Sequence, residues 1–290
     1  MVVDARDGQA TTEAAMSEST YQGLCDLIFR HSRIHLGANR QSMLVSRLNS
    51  RRQYLGLKSW NAYFEHLSKN QNGEELGKLI DLVATNHTQF FREKLHFDRL
   101  RSEIIDTILK ECSGATTKFL AWSAASSSGE EPFSLAITIN EHFSQRTGPS
   151  VDWMVYASDI SRKTLKVAEA AIYPSANLNL PNPEWLRRYF KRGSGPYEGQ
   201  CRVKPEILKH VRFQHINLFQ RSYPLPQPLH LIFCRNVLIY FEQESQAQLV
   251  ARLHSMLTPG GFLIVGHSDS LNCFRHDFAP LGGGVYRRNT

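Results

Sequence analysis

What most constrains the fold of this chain is a change of pattern near Thr117. Upstream, apolar residues recur only at helical spacing. Downstream, short apolar runs alternate with helix-length stretches. KFLAWSAA (118–125), WMVYASD (153–159), VRFQHIN (211–217), LHLIFCRNVLI (229–239) and GFLIVGHS (261–268) read as strands. Helices are expected from Glu130, from Ser161 to about Ile172, and from Glu242 to Leu257. Runs apolar at nearly every position suit strands buried on both faces, and alternation with helices lays such strands in a mostly parallel sheet covered on both sides. Residues 173–210 interrupt the alternation with Pro, Asn and Gly and read as a small antiparallel excursion. No internal repeat is present.

The segment from Tyr21 to about Val83 is expected to be a small all-α domain. Leu24, Ile28 and Phe29 form one apolar stripe, and Met43, Leu44, Arg47, Leu48, Arg51 and Arg52 make a basic amphipathic helix. Ser59 is placed to cap a helix running through Trp60, Tyr63, Phe64 and Leu67. Glu93 to Lys110 adds one connector helix. The expected organisation is a disordered tail over 1–18, a helical recognition domain over 19–90, and an α/β domain over 91–290 with its β-subdomain inserted at 173–210.

Charge is unevenly spread. Residues 21–70 carry Arg30, Arg33, Arg40, Arg47, Arg51, Arg52, Lys58 and Lys69 against only Asp26 and Glu65. A basic module suits an acidic partner: nucleic acid, an anionic membrane surface or an acidic protein, with a solvated helix face as the plain alternative. No run approaches the ~18 apolar residues of a membrane helix, and the acidic first twenty residues have no signal-peptide pattern. A cytosolic location is expected. Five cysteines without a C-x-x-C pair, and no H-E-x-x-H, predict neither a disulfide framework nor a metal site.

In open parallel sheets ligands bind beyond the carboxyl ends of the strands, where strand order reverses. The first strand leads into Ala124-Ala125-Ser126-Ser127-Ser128-Gly129 and a helix whose first turn holds Glu130 and Glu131. This is not G-x-G-x-x-G, and two acids at a helix start oppose a phosphate. They suit a ligand with cationic groups. Asp159, ending the second strand, can accept ribose hydroxyls. Together these favour S-adenosylmethionine over NAD. The competing readings are a cap of the next helix for Asp159 and complementation of the helix dipole for the two glutamates.

The motifs then resemble a known family. Asn86-His87-Thr88-Gln89-Phe90-Phe91-Arg92-Glu93, Trp122-Ser123-Ala124-Ala125 with Ser128-Gly129-Glu130-Glu131-Pro132, Ala157-Ser158-Asp159, Asn217-Leu218, Phe233-Cys234-Arg235-Asn236-Val237-Leu238-Ile239-Tyr240-Phe241 and Gly266-His267-Ser268 are similar to those of the chemotaxis receptor methyltransferases, the CheR family. The resemblance spans residue 20 to the C-terminus. It implies an N-terminal helical domain followed by a class I (Rossmann-like) methyltransferase domain with an inserted antiparallel subdomain. It also implies methyl transfer from S-adenosylmethionine to chemoreceptor glutamates, giving γ-glutamyl methyl esters and S-adenosylhomocysteine.

By the same resemblance, Asp159 holds the ribose, Glu131 and Ala124 lie along the methionine portion, Asn217 and Leu218 flank the adenine, and Asn86, Thr88 and Arg92 close over the cofactor, with Arg235 and Asn236 lining the pocket. Arg92 is the candidate to orient the substrate carboxylate, and Tyr240 to position the methyl group or the substrate; a salt bridge and a packed aromatic are the respective alternatives. Arg40, Arg47, Arg51 and Arg52 are expected to dock on the glutamate-rich receptor surface. Gly193 and Gly195 lie in a segment resembling members that bind the receptor's C-terminal tail. Recruitment to receptor arrays at the inner membrane follows, and nothing demands more than a monomer. Two rival readings are a receptor-docking regulatory protein without turnover and a nucleic-acid methyltransferase. Against the latter, Arg235-Asn236-Val237-Leu238 stands where amino-methylating enzymes carry an N-P-P-Y-like turn.

Overall fold

The computed structural model describes residues 15–37, 39–69, 73–111, 118–147 and 150–289. Most of the expected tail, residues 1–14, lies outside them. The chain divides into two units, residues 1–31 with 36–83, and residues 32–35 with 84–290.

The first unit is helical: α1 (Glu18–Ser32), α2 (Gln41–Tyr54), α3 (Trp60–Lys69) and α4 (Glu74–Val83). Its core takes in Leu24 and Ile28 of the expected stripe together with Leu44, Leu48, Tyr63, Leu67 and Leu79, all fully buried, while Phe29 is only half-buried. Ser59 caps α3, its Oγ accepting from the Ala62 amide at 3.1 Å.

This packing changes the reading of the basic helix α2. The Arg51 guanidinium reaches across to α4 and donates to both Glu75 oxygens, at 3.0 and 2.5 Å. Arg52 is only 6% exposed; it donates to Asn49 and the Leu57 carbonyl and lies 5.0 Å over the Trp60 ring. Arg47 donates to the Val83 carbonyl at 2.6 Å, at the end of α4, where the helix dipole favours a cation. Of the four arginines expected on a docking face, Arg40 is the exposed one, and the other three hold α2 to its neighbours. The cause is Glu75. A nearly buried carboxylate on α4 needs a cationic partner, and spacing within α2 alone cannot reveal it.

In the second unit the connector is not one regular helix. It runs α5 (Leu95–Arg99), a π-helical turn over Leu100–Ile104, then α6 (Ile105–Glu111). The main elements follow as β1 (Lys118–Ser123), α7 (Glu130–Gln145), β2 (Asp152–Asp159) and α8 (Arg162–Ala170). The insertion holds β3 (Ile172–Pro174), α9 (Glu184–Tyr189), β4 (Phe190–Arg192), β5 (Gln200–Val203) and α10 (Pro205–Leu208). The chain closes with β6 (Val211–His215), β7 (Leu229–Phe233), α11 (Gln243–Met256), β8 (Leu257–Ile264), β9 (Phe278–Pro280) and β10 (Val285–Arg288).

The large sheet has the order β6-β2-β1-β7-β8-β10-β9. Its first five strands are parallel, and β10 and β9 are added antiparallel. The run 229–239 is strand only to Phe233; it then turns through Asn236, at φ 54°, into a 3-10 turn. β9 and β10 have no counterpart in the sequence reading, because glycines and short length hide them. The apolar strands serve both faces. Phe119, Ala121, Leu231, Phe233 and Ile264 enter one core, and Trp122, Ile232, Leu263 and Val265 enter the other with α11. The insertion is an antiparallel sheet of order β3-β5-β4, as expected. Strand order reverses between β1 and β7, so the crevice of an open sheet falls at their carboxyl ends.

Candidate functional site

Every strand bordering that reversal ends in a motif residue. After β1, Ala124 is pinned by its amide to the Phe233 carbonyl at 2.8 Å, and the Ser126 amide reaches the Ser158 carbonyl at 2.9 Å. The turn ends on Gly129, the N-cap of α7, at φ 99°. A Cβ there would stand 2.7 Å from the Tyr173 hydroxyl and 2.9 Å from the Ala168 Cβ, so the tight turn requires glycine.

Asp159, 7% exposed, closes β2. One oxygen accepts from the Ser127 amide and the other from the Ser161 amide, both at 2.8 Å. The cap of α8 itself is Ser161, whose Oγ accepts from the Thr164 amide at 3.2 Å. Asp159 is therefore not that cap; it ties the β1 turn to the end of β2. A carboxylate oxygen has more than one acceptor site, so the same group can also take ribose hydroxyls.

On the segments that follow β1, β7 and β8 lies an ionic cluster. The Arg235 side chain is 1% exposed. It donates to Glu131 at 3.0 Å, to Glu93 at 3.0 Å and to the Arg92 carbonyl at 2.5 Å, and it lies over the Phe97 and Phe233 rings. Glu131 also accepts from the Ser123 hydroxyl at 2.8 Å. Glu93 further accepts from Asn236 Nδ2 at 3.0 Å and the His267 amide at 3.2 Å. Burial opposes ionisation of Glu93, but Asn236, Arg235 and the His267 amide together outweigh it and hold the carboxyl at about 2. In Glu131 burial prevails over Arg235 and Ser123, and its pKa is raised. Burial likewise raises Glu130, which accepts from the Ser128 hydroxyl, and raises the Cys234 thiol strongly.

Ser127, Phe91, Glu93 and Asn236 all have left-handed backbone. Each such non-glycine residue costs about 1–3 kcal/mol, and such strain gathers at functional sites. Their supports are visible: the Phe91 amide donates to Ser134 Oγ at 2.9 Å, and Asp269 accepts from the Asn236, Gly266 and Ile239 amides. Glu93, His96 and His267 bring their ligand atoms within 4.8 Å of one another, a spacing that a metal ion could bridge. Glu93, however, already accepts from three donors, and the Arg235 cation beside it opposes a second positive charge.

The remaining motif residues surround this cluster in sequence and fold. The Asn86 carbonyl accepts from Ser127 Oγ at 2.9 Å, which brings the 86–93 segment to the β1 turn. Arg92 is half-buried and donates to the His87 carbonyl at 3.0 Å. Asn217 Oδ1 accepts from the Phe219 amide at 2.9 Å, shaping the turn after β6, and Leu218 is buried beside it. Thr88 is half-buried in the 86–93 segment, and Tyr240 packs at the edge of the second core beyond β7. Glu93 and Asp269, on which the geometry turns, are not among the site residues expected from the sequence. Glu93 reads in sequence as an acid opening a helix; its place directly after Arg92, with Arg235-Asn236 as a complementary cation and amide, was the available signal.

The donor set fits S-adenosylmethionine. The crevice presents carboxylates where a phosphate ligand would need cations or free amides, and Ser126 Oγ is buried in the β1 turn without a protein partner. Comparison with known proteins agrees. Residues 19–84 match the family described as CheR methyltransferase, all-alpha domain, and residues 86–286 match CheR methyltransferase, SAM binding domain. A chemotaxis protein methyltransferase of Salmonella typhimurium is 36% identical over 278 residues, covering 96% of this chain and 93% of that protein. That of Escherichia coli has the same identity and coverage, at 36%, 96% and 93%. Chemotaxis protein methyltransferase 2 of Pseudomonas aeruginosa is 33% identical, over 92% of this chain and 91% of its own. Among the described residues no helix is long and apolar enough to cross a membrane. With both of its domains matched and the strand-end site in place, the chain belongs to the CheR family of S-adenosylmethionine-dependent chemotaxis methyltransferases.

Proposed function

We propose that the methyl group goes to glutamate side chains in the cytoplasmic signalling domain of methyl-accepting chemoreceptors, forming γ-glutamyl methyl esters. One observation carries this reading: the contrast between two neighbouring arginines. Arg235 is sealed against Glu93 and Glu131, whereas Arg92 is half-exposed at the strand ends and steadied by the His87 carbonyl. A planar guanidinium so placed matches an incoming carboxylate.

Bound S-adenosylmethionine supplies a methyl group on a sulfonium sulfur and is left as S-adenosylhomocysteine. A glutamate nucleophile is already ionised near neutral pH, so this chain's residues have no proton to remove. Their work is alignment, which supplies about 7–11 kcal/mol in well-oriented reactions. Arg92 orients the carboxylate, and Tyr240, which follows β7 in the chain, positions the reacting groups. Asp159 holds the ribose, Asn217 and Leu218 the adenine, and Ala124 and Glu131 the methionine portion. Asn86 and Thr88 close over the cofactor. Arg235 and Asn236 border the pocket by their place after β7, with the Arg235 guanidinium turned inward.

Receptor docking uses the positive charge of residues 21–70, which speeds encounter with a glutamate-rich surface. In the insertion, β4 is an edge strand and Gly193 meets the Tyr197 carbonyl so closely that a Cβ would stand 2.1 Å away. Gly195 follows at φ 60°. An extended receptor tail adds to such an edge by main-chain pairing. The working place is the cytoplasm, at receptor arrays on the inner membrane, as a monomer.

Tritiated S-adenosylmethionine and receptor-containing membranes test the reading. Counts released by mild alkali as volatile methanol, and lost with Asp159→Ala, are expected. Alkali-stable counts would mean methylation on nitrogen, and S-adenosylmethionine binding without transfer would mean a regulatory protein; either overturns it.

A further inference from the structure

Arg92 stands on a backbone with two left-handed residues, Phe91 at φ 53° and Glu93 at φ 57°. Its direction depends on what restrains the peptide that follows it. Arg235 Nη2 holds that peptide by donating to the Arg92 carbonyl at 2.5 Å, and the same nitrogen donates to the Glu93 side chain at Oε2, 3.0 Å away. Glu93 in turn gathers two further segments. Its carboxylate takes Arg235 and Asn236 from the end of β7 and the His267 amide from the end of β8. The upstream half of the segment is anchored elsewhere, through Asn86 to Ser127 and through the Phe91 amide to Ser134 on α7.

We infer that Glu93 is a positioning residue for methyl transfer: acting through Arg235, it fixes the Arg92 peptide so that the Arg92 guanidinium meets the substrate carboxylate in line. The inference rests on the role proposed for Arg92. The separate anchoring of the upstream half has a consequence. Loss of the Glu93 charge lets Arg92 drift while Asn86, Thr88 and the β1 turn stay in place, so turnover falls more than cofactor affinity.

A double-mutant cycle on the full chain tests this, using receptor-containing membranes for kcat and KM, calorimetry for S-adenosylmethionine, and thermal unfolding to verify folding. Misplacement by about 1 Å can cost about 100-fold, so Glu93→Gln is expected to lower kcat by about 10- to 100-fold. Its cofactor Kd should move less than about threefold. Glu93→Asp, which keeps the charge, should recover part of the loss. In an Arg92→Ala background Glu93→Gln should cost less than about threefold more. Should Glu93→Gln not fold, the cycle is run with Glu93→Asp. Equal losses in both backgrounds, or a cofactor affinity that falls in step with kcat, would overturn the inference while leaving Arg92 its role. Wild-type kcat in Arg92→Ala alone would overturn both.

Discussion

Replacing Arg235 by methionine keeps the bulk of the side chain and removes its charge. The side chain is 1% exposed, so its three hydrogen bonds cannot be replaced by water without opening the core. Two carboxylates, Glu131 and Glu93, would be left facing one another without their shared cation. Breaking a buried pair by removing one partner costs about 3–5 kcal/mol. At about 2–4 °C per kcal/mol for a unit of this size, Arg235→Met should lower the midpoint by about 6–20 °C. The pH dependence gives a second reading. In the wild type Glu93 is depressed to about 2, so its contribution is present above its ordinary value of 4.5 and fades as pH falls from there towards 2. In Arg235→Met the main depressing charge is gone and Glu131, raised already by burial, rises further. Both acids can then take up protons in the fold, so the gap between wild type and variant should narrow as pH falls from 7 to 4. Urea unfolding at several pH values measures this. A loss below about 1 kcal/mol, or a gap that widens on acidification, would refute the assignment of Arg235 as the cluster's counter-ion.

Gly129→Ala should destabilise the second unit by about 2 kcal/mol or more and weaken S-adenosylmethionine binding, because the new Cβ meets Tyr173 and Ala168 at a left-handed position; unfolding and calorimetry measure the two effects. Arg40→Glu should lower kcat/KM on receptor membranes several-fold and flatten its salt dependence with little change in melting temperature. Arg51→Glu should instead melt the helical unit earlier, since it sets a second acid against Glu75.

Much of the fold is legible because its grammar is local. Phe119, Ala121, Leu231 and Phe233 are apolar for one reason, burial on a sheet face, and the strand–helix rhythm follows from it. The misreadings have a common physical origin in partners distant in sequence. Arg51 and Arg52 look like solvent-facing charge until α4 brings Glu75 against α2 and α3 brings Trp60 beneath Arg52. Glu93 looks like the start of a connector helix until β7 and β8 deliver Arg235, Asn236 and His267. The strand-like run 229–239 breaks after Phe233 because Asn236 takes left-handed backbone, held by Asp269; nothing within the run itself announces that acid.

The inward pairing of the acids also suits the reaction. In the proposed transfer an anionic carboxylate meets a cationic methyl donor, and both charges diminish on the way to the transition state. A strong uncompensated field at the strand ends would therefore stabilise the reactants more than the transition state and slow the step. Glu93 and Glu131 are instead turned onto Arg235, and the 86–93 segment offers Arg92, half-exposed, as its guanidinium. In the role proposed for Arg92, one oriented cation over a largely compensated cluster would hold the carboxylate in place without binding it so tightly that the attack is opposed. On that logic an added acid near Arg92 would slow transfer by competing for its guanidinium, and an added cation would slow it by holding the carboxylate in the ground state.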